Sequence, residues 1–433
     1  MLKLKKSKLL LAVSLALVLF CASASAVFAA EPGSDNGQPI VINGTADAPA
    51  QAAITKNLQM PVGTAIPTDA KFEFKVTPKT VDDVAYNTVT PNMPPLNSSN
   101  LSVTYPGAAA AVNDGVSDVQ TATLETGDIF AGVPWTHAGV YVYEIAETPD
   151  TYPAVADHEV MTYSGAVYTI TAFVESDGNG GFFVSGIGDM ITVADNGDQT
   201  PGDKVDPTPG GNVITDTGYS DMVFTNTYVH TNGSPDPGNP DPADPTEATL
   251  TVSKVVSGTL ASQDQYFNFS MALAVPSLVA NAPASYDAYV VDTTVTPNAV
   301  VGAAIPVSTD SATPTSFQLK HGQDLVFINT PVGTGYSVQE LNPAGYIPSY
   351  VITTNGMAAT AVDTYNLGDT AATGDQRVGE AANKAAFTNT RDMLAPTGLN
   401  MNQLPFIGLI ILMAGALAAF IVVKSRKREY YGR

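Results

Sequence analysis

The feature that most limits the fold of this chain is the alternation of apolar and polar residues in short segments. These segments are rich in Val, Ile, Thr, Tyr and Phe, are bounded by Gly, Pro, Asn and Asp, and show no helical periodicity. The clearest examples are 71–76, 140–147, 168–175, 222–229, 250–256, 266–274, 324–329 and 336–340. Many short strands separated by turn residues predict an all-β protein made of β-sandwiches or partly open barrels.

A proline-rich segment divides this β-rich region in two. Residues 231–247 contain five prolines and four acidic residues, a composition that cannot form a core and favours an extended, semi-rigid spacer. We therefore predict one β-domain over 51–230 (domain 1) and another over 248–392 (domain 2). Residues 31–50 are rich in Gly, Pro, Asp and Asn and are predicted to be disordered.

The N-terminus has the pattern of a secretory signal peptide. Residues 1–30 combine a basic start, an apolar run and small residues before Glu31. The sole cysteine, Cys21, lies within this segment. Disulfides and cysteine-based metal sites are therefore excluded from the exported chain, and no cofactor or metal site is predicted.

The C-terminus contains a pentapeptide, an apolar segment and a basic tail, in that order. The apolar segment, 404–423, is long enough to span a bilayer as a helix, and the basic tail, 424–433, favours the cytoplasmic side. A plain membrane anchor is one interpretation. The order of the three parts resembles a Gram-positive cell-wall sorting signal, whose motif would be Leu394-Ala395-Pro396-Thr397-Gly398.

That resemblance implies a sortase substrate. In such signals a sortase cuts between Thr and Gly and joins the Thr carbonyl to an amine, which here places the cut between Thr397 and Gly398. Ala395 departs from the common LPxTG pattern and resembles an LAxTG variant. The implied location is a covalent attachment to the cell wall or to a pilus, with the membrane contacted only transiently through 404–423.

Strand parity places charged residues in apolar stripes. Alternate residues of a strand share one face, so Lys56 in domain 1 and Lys254 in domain 2 each align with apolar neighbours. Glu147 and Glu340 are likewise charged residues on an apolar face, because each follows apolar residues at alternate positions. Glu144 competes with Glu147, but its parity puts it on the opposite face.

An asparagine completes the pattern in both domains. Asn226 and Asn389 lie in apolar stripes, and each is the third residue of a Phe-Thr-Asn-Thr sequence. The order along the chain is Lys, Glu, Asn in both domains. Repetition of the whole Lys, Glu, Asn triplet favours a common chemical function in the two domains over an unrelated burial of polar residues in each.

These three residue types suit the formation of an intramolecular Lys–Asn isopeptide bond. Burial lowers the pKa of a lysine, and a neutral amine is a nucleophile. Burial raises the pKa of a glutamate, and a protonated carboxyl can polarise an amide carbonyl and shuttle protons. An asparagine side chain supplies that carbonyl and an ammonia leaving group. The alternative is a buried Lys–Glu ion pair with a hydrogen-bonded asparagine.

The same segments carry a family resemblance. Residues 54–58, 143–148 and 224–227 resemble the streptococcal-type pilin isopeptide-linkage domain, and 336–340 and 387–390 resemble that domain or the related Cna-B type. The resemblance implies tandem Ig-like or Cna-B-like β-sandwiches. The implied bonds are Lys56–Asn226, promoted by Glu147, and Lys254–Asn389, promoted by Glu340.

The short distance in sequence between domain 2 and the sorting motif favours a polymer. Only 390–393 separate Asn389 from the motif, and a compact domain of this size is roughly 40 Å across. A lone monomer joined to peptidoglycan would remain largely within the wall. We therefore expect a major or shaft pilin whose Thr397 joins a lysine of the neighbouring subunit. The best candidate is Lys204, in the predicted loop 195–212, followed by Lys79.

Other functions fit less well. A non-polymerised, wall-anchored adhesin that binds a host ligand through loops such as 176–181 is the alternative. An enzyme acting on external substrates is disfavoured because the four histidines lie in no nucleophile or metal motif. Between residues 31 and 397, 10 basic residues face 40 acidic ones, which excludes nucleic acid as a partner. Trp135 is predicted to lie in the core.

Overall fold

The computed structural model describes most of both domains. The described residues are 42–89, 91–106, 111–113, 115–154, 158–210, 218–231, 241–359, 363–392, 409–417, 419–420 and 424. Among the described residues of both domains, the regular secondary structure is β-strand, apart from one short 3₁₀ helix at Ser98–Asn100. The predicted all-β fold is confirmed. The predicted signal peptide, 1–30, and the sorting motif, 394–398, lie outside the described residues.

Domain 1 folds as two facing sheets. Its strands are β1 (Ile42–Asn43), β2 (Thr55–Pro61), β3 (Lys71–Val81), β4 (Val84–Ala85), β5 (Ser102–Thr104), β6 (Val112–Asn113), β7 (Val119–Glu125), β8 (Gly139–Thr148), β9 (Glu159–Thr162), β10 (Val167–Ser176), β11 (Phe182–Val193), β12 (Gln199–Val205) and β13 (Val223–His230). One sheet has the order β1-β11-β10-β8-β3-β4, with β12 added to β11 and β5 to β3. The facing sheet has the order β6-β7-β2-β13-β9.

Domain 2 repeats this arrangement. Its strands are β14 (Leu250–Ser257), β15 (Phe267–Ala274), β16 (Ser285–Asp292), β17 (Ala299–Val300), β18 (Ile305–Ser308), β19 (Thr315–Leu319), β20 (Gln323–Phe327), β21 (Gly335–Leu341), β22 (Ile347–Thr354), β23 (Met357–Ala358), β24 (Asp363–Thr364), β25 (Ala371–Ala372), β26 (Gln376–Arg377) and β27 (Lys384–Thr390). One sheet has the order β17-β16-β20-β14-β27-β22-β23, with β18 added to β16 and β24 to β22. The other has the order β19-β15-β21-β25, with β26 added to β21.

Parallel pairing of an early strand with the last strand is common to both domains. In domain 1, β2 and β13 run parallel, with Leu58 opposite Asn226. In domain 2, β14 and β27 run parallel, with Val256 opposite Asn389. Each asparagine therefore lies opposite the residue two positions beyond the lysine. Since alternate residues share a face, lysine and asparagine project from the same side of each sheet.

The cores of the two domains differ in their continuity. Domain 2 has one large apolar cluster that includes Phe269 and Phe387, and a small second cluster around Val326. Domain 1 has two clusters: Ile54 of β2 belongs to one, and Leu58 of the same strand belongs to the other. Lys56 lies between these residues, so the polar site of domain 1 lies where its two apolar clusters meet.

Three segments differ from the sequence predictions. Residues 42–50 are ordered, because β1 pairs with β11 and Ala50 is buried. Part of the predicted loop 195–212 is strand β12, since a turn over residues 194–197 returns the chain antiparallel to β11. In the predicted spacer, residues 241–247 form turns in which the Asp241 and Asp244 side chains accept backbone hydrogen bonds.

The C-terminal apolar segment is described only in part. Residues 409–417 are helical, and the rest of the predicted span falls largely outside the described residues. Across the part of the chain that the structure describes, no helix combines the length and apolarity needed to cross a bilayer.

Candidate cross-linking sites

The predicted triad of domain 1 meets between the two sheets. Lys56 projects from β2, Asn226 from β13 and Glu147 from β8 in the facing sheet. The Lys56 Nζ lies 2.8 Å from Glu147 Oε1 and 2.9 Å from Oε2. The Asn226 Nδ2 donates to Glu147 Oε1 at 2.9 Å. The carboxyl therefore contacts both the amine and the amide nitrogen.

The triad of domain 2 has the same framework. Lys254 projects from β14, Asn389 from β27 and Glu340 from β21 in the facing sheet. The Lys254 Nζ and the Asn389 Nδ2 both donate to Glu340 Oε1, at 2.7 and 2.6 Å. All three residues are 0% exposed.

Burial shifts both lysines towards the neutral amine. Loss of solvation lowers the pKa of Lys56 to about 8, against the opposing charge and hydrogen bond of Glu147. Loss of solvation likewise lowers the pKa of Lys254 to about 8, opposed by Glu340. The same burial raises the pKa of Glu147 and of Glu340, although each has a lysine beside it. These shifts bring the proton affinities of amine and carboxyl closer together, which favours proton exchange between them.

Aromatic rings enclose the reactive amines. The Lys56 Nζ lies 4.9 Å from the centroid of the Phe72 ring, and the Lys254 Nζ lies 4.5 Å from that of Phe267. The ring faces stabilise the ammonium form through cation–π attraction and exclude water. A nucleophile, an acid–base group and an amide therefore meet in a dry site, the composition needed for acyl transfer from the asparagine to the lysine.

Sequence reasoning missed one polar contact in domain 1. The backbone N–H of Ser164, which follows β9, donates to Asn226 Oδ1 at 2.8 Å and to Glu147 Oε2 at 3.1 Å. A backbone donor carries no residue signature, so no sequence pattern points to it. In domain 2 the corresponding oxygen, Asn389 Oδ1, has no hydrogen-bond partner among the described residues.

The other residues singled out from the sequence lie away from these sites. Glu144 pairs at the surface with Lys79, with 2.9 Å between Nζ and Oε2, as its parity predicted. Lys204 is exposed on β12, opposite Met190. Trp135 is partly buried and packs against the domain 1 core. The predicted loop 176–181 is the tight connection between β10 and β11.

Fold and sites together define a class: tandem β-sandwich proteins with a buried Lys–Glu–Asn triad in each domain. Residues 52–229 match the family described as the Spy0128-like isopeptide containing domain. Residues 248–391 match a domain of unknown function, DUF7601.

Known proteins extend this likeness. The chain is 26% identical over 398 residues to a pilin of Streptococcus pyogenes serotype M1, covering 89% of this chain and 92% of that protein. The crystal structure of the major pilin from Streptococcus pyogenes is 22% identical, with a TM-score of 0.30, and the match covers 80% of this chain and 99% of that one. The major pilin T3.2 of serotype GAS13637 is 18% identical, with a TM-score of 0.30, over 79% and 99% of the two chains. Domain 1 is therefore similar to the Spy0128-like isopeptide containing domain, and most of the chain is similar to a pilin.

Proposed function

We propose that this chain is the shaft subunit of a sortase-assembled pilus and that each of its domains is locked by a Lys–Asn isopeptide bond. Burial of a complete Lys–Glu–Asn triad in both domains, with the three side chains at hydrogen-bonding distance, carries the proposal. The likeness to a pilin over most of the chain supports the pilus role. The reaction is a single turnover within the chain, so the protein is a substrate of its own chemistry and of a sortase rather than an enzyme.

The proposed bonds join Lys56 to Asn226 and Lys254 to Asn389. Each would connect the parallel strands β2 and β13 in domain 1, or β14 and β27 in domain 2. Force applied between the two ends of a domain would then act on a covalent bond instead of a hydrogen-bonded ladder. A fibre of such subunits would resist tension and proteases without cysteine.

Intact-mass spectrometry of the recombinant chain tests the bonds directly. Each bond releases one ammonia, so we expect a deficit of two ammonias relative to the sequence mass. The matched variants Glu147→Gln and Glu340→Gln keep the shape of the side chain but cannot carry the proton. Each should restore the mass of one ammonia, and an unshifted wild-type mass would leave only buried ion pairs.

Polymerisation is proposed to join Thr397 of one subunit to Lys204 of the next. Both Lys204, on β12, and Lys79, the second candidate, on β3, are exposed. Co-expression with the sortase in a Gram-positive host should give a ladder of covalent multimers that survives boiling in detergent. Lys204→Arg should abolish the ladder and Lys79→Arg should preserve it; the reverse result would reassign the lysine. Wall-bound monomer alone from the wild type would favour the non-polymerised adhesin.

A further inference from the structure

The hydrogen-bond ladder beside Asn226 is interrupted in a specific way. Strand β9 pairs with β13 as far as Thr162 opposite Thr227, and the chain then crosses to β10 in the facing sheet. The N–H of Ser164 is thereby released from the ladder and donates to Asn226 Oδ1 at 2.8 Å. The amide of Asn226 therefore has a fixed orientation, with its oxygen towards a backbone donor and its nitrogen towards Glu147.

Asp195 holds this interruption in place. Its Oδ1 accepts hydrogen bonds from the Ser164 hydroxyl and from the N–H of Thr225, the latter at 3.0 Å. Its backbone carbonyl accepts from the N–H of Gly165 at 2.7 Å. Asp195 therefore ties the crossover, at Ser164 and Gly165, to the strand that carries Asn226.

Domain 2 keeps its ladder unbroken at the equivalent place. Strand β22 pairs with β27 through Pro348 opposite Asn389 and on to Ile347 opposite Thr390. Proline has no N–H to offer. Asn389 Oδ1 is buried and has no hydrogen-bond partner in the described part of the chain, although the contact between Lys254 Nζ and Glu340 is as short as its counterpart, at 2.7 Å.

We propose that the Ser164 N–H is an oxyanion donor for formation of the Lys56–Asn226 bond, and that Asp195 is the positioning residue for this donor. The inference rests on the proposed isopeptide chemistry and assigns to it a group with no counterpart at Asn389 Oδ1 among the described residues of domain 2. Preorganised donors aimed at a developing negative charge accelerate acyl transfer by about 10²–10³ in rate for one donor.

Bond formation exchanges one amide for another and releases ammonia. A proton passes from Lys56 Nζ to Glu147, and the neutral amine attacks Asn226 Cγ, which places negative charge on Oδ1 beside the Ser164 N–H. Glu147 Oε1 then protonates Nδ2 and the carboxylate takes a proton from Nζ. The Cγ–Nδ2 bond breaks and ammonia leaves, so one amide and one amine yield one new amide and one ammonia.

Refolding kinetics of the full chain test the assignment. Chain recovered unfolded, and verified to be unlinked by its mass, is refolded by dilution and quenched at intervals. Linked and unlinked peptides of both domains are then quantified. Trp135, the sole tryptophan, reports the folding of domain 1 independently of linking. The rate at which the Lys254–Asn389 bond forms in the same molecules serves as an internal reference.

The expected result is a selective effect on domain 1. Asp195→Ala should slow the Lys56–Asn226 bond on the order of tenfold or more, with the domain 2 bond unchanged. Asp195→Asn keeps the acceptor oxygen and removes the charge, which otherwise helps to raise the pKa of Lys56. This variant should restore a rate close to that of the wild type.

A second variant covers the case in which Asp195→Ala fails to fold. A Cβ at Gly165 would lie 3.0 Å from the Asp195 carbonyl oxygen and 3.0 Å from the Gly197 nitrogen. Gly165→Ala should therefore displace the crossover with all charges kept, and slow only the domain 1 bond.

The possible failures are distinguishable. A wild type that never loses ammonia overturns the isopeptide proposal itself. A wild type that links, with Asp195→Ala linking equally fast, overturns only the oxyanion assignment. Equal slowing by Asp195→Ala and Asp195→Asn would also overturn the positioning role, because the charge alone would then explain the effect.

Discussion

The two domains hold the same three side chains in the same order but surround the asparagine differently. In domain 1 the amide oxygen of Asn226 accepts a backbone hydrogen bond and its nitrogen faces a carboxyl. In domain 2 the nitrogen of Asn389 faces a carboxyl, while the oxygen is buried without a partner in the described structure. A short lysine–glutamate contact is thus common to both sites, and the hydrogen bonding of the asparagine oxygen differs between them.

The difference arises from the neighbouring strand rather than from the triad. Strand β9 ends before it reaches Asn226, whereas β22 continues past Asn389. A ladder that stops early releases a backbone donor, and a ladder that continues does not. Two sites with matching triads therefore differ in the hydrogen bonding of the asparagine oxygen, and the position where the neighbouring strand ends sets this difference.

The largest expected effect is the loss of stability when a bond is absent. Asn226→Ala and Asn389→Ala should each lower the free energy of unfolding of their domain by about 5 kcal/mol, the loop-entropy value for a closed loop of on the order of 100 residues or more. Domain 1 should lose about 0.5–1.5 kcal/mol more, because its variant also removes the hydrogen bond from the Ser164 N–H to Asn226 Oδ1, while this N–H keeps Glu147 Oε2 as an acceptor. Guanidinium unfolding followed by Trp135 fluorescence and circular dichroism measures both.

Lys71→Ala is the matched control for that experiment. It removes an exposed lysine paired with Glu73 on β3, and exposed ion pairs contribute about 0–1 kcal/mol. Equal losses for the two asparagine variants would show that the Ser164 contact does not distinguish the domains energetically.

Removal of the acid–base group should have the next largest effect. Glu147→Gln and Glu340→Gln should each slow linking about 10²–10⁴-fold, and only in the domain that carries the substitution. Quantified linked peptides after refolding give both rates in one sample. Slowing of both bonds by one substitution would mean that the domains do not react independently.

The wild-type chain should link domain 1 faster than domain 2. Both lysines have similar lowered pKa values, about 8, so the Ser164 donor is the main difference between the sites. We expect a ratio on the order of 10²-fold in favour of the Lys56–Asn226 bond. The refolding time course of unlinked chain measures this ratio, and a faster domain 2 would contradict the comparison.

The smallest expected effect is a pH dependence of linking that is the same in both domains, so that the ratio of their linking rates stays unchanged. Linking needs one proton shared by lysine and glutamate: with two the amine is not nucleophilic, and with none the leaving ammonia cannot be protonated. The rate should therefore fall in acid, as the glutamate takes up its proton, and above about pH 8, where the lysine loses its own. A backbone N–H does not titrate, so a ratio that varies with pH would assign the difference to a charged group.

Strand alternation was enough to predict the fold class and the faces of the key residues. Lys56, Glu147 and Asn226 were singled out because each lies in an apolar stripe, and all three are buried in the same site. Glu144 was set aside by parity and lies at the surface. Such predictions succeed because side-chain direction in a strand repeats every second residue, which is a local property.

Segments whose structure depends on distant partners were less predictable. Residues 42–50 were expected to be disordered, yet β1 finds its partner in β11, far along the chain. Part of the predicted loop 195–212 is strand β12, because β11 offers it an edge. Composition indicates the structure that a segment prefers in isolation. Pairing with an open sheet edge can outweigh that local preference.

The sequence by itself determined the class of fold, the two triads and their order, because these depend on residue type and on a local two-residue repeat. Only the tertiary structure decided which oxygen and nitrogen of each asparagine meet a partner. Ser164 acts through its backbone, and Asp195 acts because the turn between β11 and β12 places it beside both Thr225 and the crossover after β9. Contacts of that kind depend on where strands begin and end in three dimensions, and no residue type encodes them.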